Sequence, residues 1–211
     1  GKGVRISVPS QRLDSFGVDM AGLVAGQKKG GLTFAPEAGT QRLRDVINKQ
    51  VTEDDLFGAV DAAFGAGWRR CKLYFMIGLP TETDEDLKAI ADLCRKVRDA
   101  AGKGNPRLQV TAALSPFVPK PFTPFQWVEQ ISQEEIQRRV QLVRNEFKGQ
   151  KFLKLRWHEP AMSHLEGILS RADRRLADVV EKVYRKGGIF TSWIEGFDLA
   201  PWLEALEECG L

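Results

Sequence analysis

The sequence predicts an α/β fold with parallel strands, and three observations carry that prediction. Short apolar stretches of strand length recur along the chain. Each is closed by turn residues and followed by a segment with helical periodicity. Successive strand starts lie roughly 30 to 45 residues apart, the length of a βαβ unit. The 211 residues hold about five such units, fewer than the ~250 residues of a closed eight-fold barrel require. The expected architecture is therefore an incomplete (β/α) barrel or an open parallel sheet of about five strands with flanking helices, plus a helical C-terminal segment. Domain limits are expected at residues 1–157 for the strand-bearing part and 158–211 for the helical appendage.

The strands in order are Val4 to Val8, Leu32 to Ala35, Cys71 to Ile77, Leu108 to Leu114 and Lys151 to Trp157. The run from Cys71 to Ile77 is almost unbroken in apolar character and ends at Gly78-Leu-Pro80, the pattern of a strand buried on both faces. Between the strands, Thr40 is placed to cap a first helix. Thr52-Glu-Asp-Asp55 opens a second, with Leu56, Val60, Ala63 and Phe64 on one stripe and Gly65 and Gly67 to stop it. Thr83-Asp-Glu-Asp86 opens a third, whose Leu87, Ile90, Cys94, Val97 and Ala101 define a core-facing face. Gln133 to Phe147 repeats the pattern through Ile136, Val140 and Val143. Further helices are expected around His164 to Leu169 and Asp173 to Tyr184.

Composition narrows the functional classes. Hydrophobic residues make up 43% and charged residues 28% of the chain, enough apolar content for one ordinary soluble core, which excludes disorder as the dominant state. No apolar run approaches the ~20 residues of a membrane helix. With 31 Lys and Arg against 28 Asp and Glu, the net charge of +3 is near balance, and basic residues are interspersed with acids, so no nucleic-acid footprint stands out. Cys71, Cys94 and Cys209 are odd in number and far apart, which fits neither a disulfide framework nor a CxxC metal site, and the expected compartment is cytoplasmic. His158 and His164 are six apart with no carboxylate cluster beside them, so no metal site is expected. Neither Cys71, in a strand, nor Cys209, near the end, reads as a nucleophile. Asp173-Arg-Arg175 reads as a solvated helix face with local ion pairs. The first residue is not Met and the first element starts at Val4, so the sequence reads as a piece of a longer chain.

Ligands of parallel α/β proteins bind at the carboxyl ends of the strands, which selects four segments. At Pro9-Ser-Gln-Arg-Leu-Asp14, Arg12 is the candidate. At Pro36-Glu-Ala-Gly-Thr40, Glu37 leaves the strand tip and Thr40 opens a helix, a carboxylate and backbone N–H groups suited to a zwitterionic or ribose-bearing ligand; a solvated turn with an ordinary cap is the plainer reading. At Gly78-Leu-Pro-Thr-Glu-Thr83, the absent side chain of Gly78 and the fixed turn at Pro80 let a flat ring approach the backbone. A simple strand-to-helix turn capped by Thr83 reads equally well. The fourth, Ser115 to Trp127, carries four prolines with Phe117, Phe122, Phe125, Trp127 and Lys120 between them. Such a stiff aromatic loop either roofs a pocket or packs over the sheet.

As a series, Ile6-Ser-Val-Pro-Ser-Gln-Arg-Leu-Asp14, Leu32 to Lys49 with its Ala-Pro-Glu-Ala-Gly-Thr core, Lys72-Leu-Tyr-Phe-Met-Ile-Gly-Leu-Pro-Thr-Glu-Thr83 and Ser115-Pro-Phe-Val-Pro-Lys-Pro121 resemble the later strands of the radical S-adenosylmethionine enzymes. More narrowly, with Arg171-Ala-Asp-Arg-Arg175 and Thr191-Ser-Trp193, they resemble the subgroup in which a cobalamin-binding-like domain comes first. The resemblance implies a TIM-type barrel, S-adenosylmethionine and a [4Fe-4S] iron-sulfur cluster as cofactors, an oxidoreductase-like radical chemistry, and room for cobalamin in the complete protein. The family's CxxxCxxC cluster loop has no counterpart here, so the resemblance places the cluster ligands outside this chain, in an upstream part of the same polypeptide, and makes the fragment alone inactive.

By the same resemblance Glu37 faces the cofactor from a strand tip, with Gly39 and Thr40 opening the next helix, and Lys49 meets the methionine carboxylate. Along one continuous helix Lys49 would stand ~14 Å from Thr40, so its role requires a break near Asn48, which recapping at Thr52 permits. Gly78, Pro80 and Glu82 border adenine, with Tyr74 near the place of an earlier glycine of that motif. Arg12, Ser115 and Lys120 line the substrate side, and the substrate itself is not indicated. Two other readings stand beside this one: a self-contained α/β ligand-binding module without redox chemistry, and, for residues 158–211, a protein-interaction appendage with Trp193 and Trp202 exposed.

Overall fold

The computed structural model describes residues 31–102, 108–189 and 194–211. The expected strand Val4 to Val8, Arg12 and Trp193 lie outside them. Four strands form one sheet in the order β1 (Leu32–Glu37), β2 (Arg70–Ile77), β3 (Gln109–Pro116) and β4 (Leu153–Trp157). β1 runs parallel to β2, and β3 to β4. The helices in chain order are α1 (Gln41–Val46), α2 (Glu53–Gly65), α3 (Asp84–Gly102), α4 (Gln133–Glu146), α5 (Pro160–Arg171), α6 (Leu176–Arg185) and α7 (Ala200–Glu208).

The strand order of the described residues is consistent with the barrel alternative of the two expected architectures. A doubly wound sheet reverses its order at a switch point, whereas a (β/α) barrel adds each strand beside the last. Here the order follows the chain without reversal, the arrangement of a barrel wall. The described residues contribute four of the five expected strands.

The chain divides into two compact units, one within Gly1–Ser115 and Arg138–Trp157, the other Pro116–Gln137 and His158–Leu211. In the first, Phe34, Leu73, Phe75, Ile77, Val110, Ala112 and Leu114 form one buried face of the sheet, and α3 adds Leu87, Ile90, Cys94 and Val97. The opposite face is only half-buried on β2, at Lys72, Tyr74 and Met76. The reading of β2 as buried on both faces is thereby corrected. Tyr and Met score as apolar in a run, but here they alternate with the core set at a period of two.

In the second unit, α6 and α7 form a small core with α5 from Leu165, Val179, Val183, Trp202, Ala205 and Leu206. Trp202 is buried at its centre, at 6% exposure, contrary to the expected exposed side chain. Its indole is the largest apolar group of α7, and burying it is the main gain that helix can make. Asp173 and Arg175 pair at 3.0 Å ahead of α6 rather than on a helix.

Candidate cofactor site at the strand tips

β1 ends in a bulge. Phe34 pairs with Leu73 and Glu37 with Phe75, so β1 spends three steps where β2 spends two. Glu37 absorbs the irregularity at φ +70°, a left-handed conformation unfavourable for a non-glycine residue. α1 follows and is only six residues long. Its end is a Schellman motif: the Asn48 N–H donates to the Asp45 carbonyl (3.0 Å) and the Lys49 N–H to the Arg44 carbonyl (2.8 Å), with Asn48 left-handed at φ +53°. The chain reverses there, so Lys49 returns to the strand tip and its Nζ donates to Glu37 Oε1 at 3.2 Å. The break required near Asn48 is present, and both side chains of the pair keep solvent access, 34% for Lys49 and 24% for Glu37.

Gly39 and Thr40 do different work from the one expected at a ligand. A Cβ on Gly39 would meet the Asp86 carbonyl oxygen at 2.5 Å and the Ile90 nitrogen at 2.6 Å, so the glycine lets α1 start against the backbone of α3. The Thr40 hydroxyl accepts from the Leu43 N–H (3.2 Å), capping α1, and donates to Asp86. Asp86 in turn accepts from the Thr83 N–H (2.8 Å) while its own N–H donates to the Thr83 hydroxyl (3.3 Å), the reciprocal cap that the Thr83-Asp-Glu-Asp86 pattern announces. Arg42 completes the set, pairing with Asp86 and donating to the Thr81 carbonyl at 3.0 Å.

The second tip is a closed turn. Gly78 lies at φ +85° and Thr81 at φ +64°. The Gly78 N–H donates to Glu82 Oε2 (2.7 Å), and Arg139 of α4 donates to the same oxygen at 2.5 Å. The Glu82 side chain is 1% exposed. Burial pushes its carboxyl pKa up, and the Gly78 N–H and Arg139 oppose that shift without cancelling it. Glu82 is thus a fastening inside the turn, where Gly78 is buried and Pro80 half-buried. Because β1 and β2 are parallel neighbours, the Glu37 and Gly78 tips leave the same edge of the sheet, and Arg42 ties α1 to the turn at Thr81.

The substrate-side candidates separate. Ser115 stands half-buried near the carboxyl end of β3. Lys120 belongs to the second unit, where it pairs with Glu166 of α5 at 2.5 Å. In the aromatic loop Phe117 meets Phe125 edge-on, with centroids 5.9 Å apart, while Phe122 and Trp127 are 97% and 89% exposed. Arg44 and Arg139 are structural supports of the two tips that the sequence reading missed. Arg44 is buried at 1% exposure and donates to the Ala38 carbonyl (2.9 Å) below the Glu37 tip. Nothing in a helical RLRD run marks which arginine is enclosed, and the Glu82–Arg139 pair joins positions 57 apart.

These features are those of a parallel α/β sheet, consistent with part of a (β/α) barrel, with a charged, solvent-accessible pair at a strand tip. The family model of the Radical SAM superfamily matches residues 1–94, the stretch that holds β1, α1, α2, β2 and the first half of α3. The resemblance read from the sequence is therefore shown at the level of that superfamily. The chain is also 41% identical over 124 residues to the Methanocaldococcus jannaschii protein named "Uncharacterized protein MJ0966", covering 59% of this chain and 26% of the relative. The chain thus spans about a quarter of the length of that curated relative.

Two cofactors follow from the superfamily, and the residues fit them differently. Glu37 and Lys49 offer an acceptor and a donor, both accessible, to a ligand bearing hydroxyls or an ammonium together with a carboxylate, which fits S-adenosylmethionine. An iron-sulfur cluster does not fit the described residues. Cys71 and Cys94 are buried, and burial pushes both thiols up, that of Cys71 to about 12, whereas cluster ligation needs thiolates.

Proposed function

We propose that this chain is the cofactor- and substrate-facing part of a radical S-adenosylmethionine enzyme, an iron-sulfur oxidoreductase whose cluster ligands lie outside the chain. The observation that carries the reading is the Glu37–Lys49 pair. A bulge, a left-handed glutamate and a Schellman reversal hold an acid and a base 3.2 Å apart on an accessible strand tip. A merely structural ion pair does not need a strained backbone to present it. On binding, the ligand carboxylate takes over the Lys49 ammonium, and Glu37 turns to the ligand's ammonium or ribose hydroxyls, so each charge exchanges one partner for another. At the neighbouring tip the half-buried Pro80, rather than the buried Gly78, is the surface a flat base would pack against. When bound, S-adenosylmethionine supplies radical chemistry on reduction; the residues here bind and orient it.

The test is S-adenosylmethionine binding in the complete protein. Lys49→Met and Glu37→Gln are each expected to weaken affinity about tenfold, which is ~1.4 kcal/mol, with iron content equal to that of the parent. Unchanged affinity in both variants would remove the pair from the site.

A further inference from the structure

The half-buried face of the sheet carries a pattern that the cofactor reading leaves unused. Lys72 pairs in register with Thr33 on β1, and on the other side Thr111 pairs with Lys154 and Ala113 with Arg156. The Gln109 N–H donates to the Arg69 carbonyl at 3.1 Å, which sets Gln109 beside Arg70 and hence Thr111 beside Lys72. Thr33, Lys72, Thr111 and Lys154 therefore form one row across four strands. Arg156 stands two residues further toward the carboxyl edge on the same face. Adjacent strands are ~4.8 Å apart, so Lys72 and Lys154 flank Thr111 across roughly 10 Å.

No Asp or Glu occupies this face of β2, β3 or β4. Among the described residues, none of the three cations is ion-paired to a carboxylate. Lys72 is half-buried and rests on Tyr74: its Nζ lies 4.4 Å from the ring centroid and donates to the phenol oxygen at 2.8 Å. The phenol, accepting from Lys72, keeps its own proton to donate. Edge protection accounts for charges on β4, which lies at the sheet border. It does not account for Lys72, whose strand has a neighbour on each side. Lys72 is half-buried while Lys154 and Arg156 are exposed, so an anion seated between them would offset their mutual repulsion most strongly at Lys72.

From this arrangement we infer that the sheet face binds the enzyme's substrate, and that the substrate is a small molecule with at least two anionic groups, carboxylate or phosphate. Lys72 with Tyr74 holds one group and Lys154 with Arg156 the other. That this ligand is a substrate rests on the radical-enzyme reading; the anion site itself does not.

Isothermal titration of the full chain at low salt, with inorganic pyrophosphate as one probe and citrate as the other, tests the site. Saturable binding of one or both is expected, and whichever probe binds more tightly assigns phosphate or carboxylate. Lys72→Met and the double variant K154Q/R156Q should each weaken that binding at least tenfold. Lys88→Gln, an exposed cation on α3, should leave it at the parent value. All are checked for the parent's circular dichroism, and K154Q/R156Q changes only exposed side chains. Failure of both probes to saturate, or equal weakening by Lys88→Gln, would overturn the site. The two readings fail separately. Pyrophosphate or citrate binding as expected, in a complete protein that ignores S-adenosylmethionine, would sink the cofactor reading alone, and the reverse would sink the anion site alone.

Discussion

Asp86 and Glu82 sit four residues apart in one turn, and their environments push their carboxyls in opposite directions. Burial raises the Asp86 pKa, but hydrogen bonds from Thr40, the Thr83 N–H, Arg42 and the Thr83 hydroxyl outweigh it and hold the group below its ordinary 3.8. A carboxyl that is lowered on folding stabilises the fold above its ordinary value and loses that contribution as pH falls through the folded value. Glu82 is raised above 4.5, so its contribution is present below that value and is lost as pH climbs through the raised one. Denaturant midpoints taken from pH 3 to neutrality should separate the two. Asp86→Asn should cost about 2 kcal/mol near neutral pH, where several charge-assisted hydrogen bonds are lost, and should flatten the acid decline below 3.8. Glu82→Gln should flatten the slope just above 4.5 instead. Asp86→Asn curves running parallel to the parent at every pH would show that the acid limb belongs elsewhere.

Among the elements, α1 shows most directly what short-range rules deliver and where they stop. Thr40 as a cap, the Thr52–Asp55 capping box and the Thr83–Asp86 pair were legible because each is a local bond between residues three apart. A break near Asn48 was required by the reach of Lys49 and permitted by recapping at Thr52, and Asn48 supplies it in the left-handed position that asparagine tolerates. Gly39 was read as opening the helix beside the cofactor; the space a Cβ would take there is filled by α3, a contact 47 positions away that no local pattern encodes. A separation of 57 positions hid Arg139 behind Glu82, and the lack of any tertiary information in α7 turned Trp202 outward. The packing role makes a paired prediction. Gly39→Ala must displace the α3 backbone and should destabilise by about 1–3 kcal/mol. Gly58→Ala, inside α2 where a Cβ meets nothing within 4 Å, should stabilise by about 0.5–1 kcal/mol. Thermal unfolding of both variants reads the difference, and a neutral Gly39→Ala would reopen its position as free space beside the tip.

At the level of the whole molecule, the two compact units have separate cores, and the three cysteines report on them. Cys71 on β2 and Cys94 on α3 belong to the first core at 2% and 0% exposure, while Cys209 follows α7 and is half-buried in the second. Burial disfavours the thiolate at both inner positions, so neither reacts with a thiol reagent unless its unit opens. At mildly alkaline pH the folded chain should therefore release one equivalent of chromophore from Ellman's reagent quickly and the remaining two only in a slow phase. Guanidinium should merge all three into the fast phase. Because the slow phase measures opening of the sheet and α3, Gly39→Ala should accelerate it while leaving the Cys209 phase unchanged. Fast release of more than one equivalent from the folded chain would mean that the helix-covered face of the sheet is not sealed. The polar face could then no longer be singled out as the accessible side of the sheet, on which the proposed anion site depends.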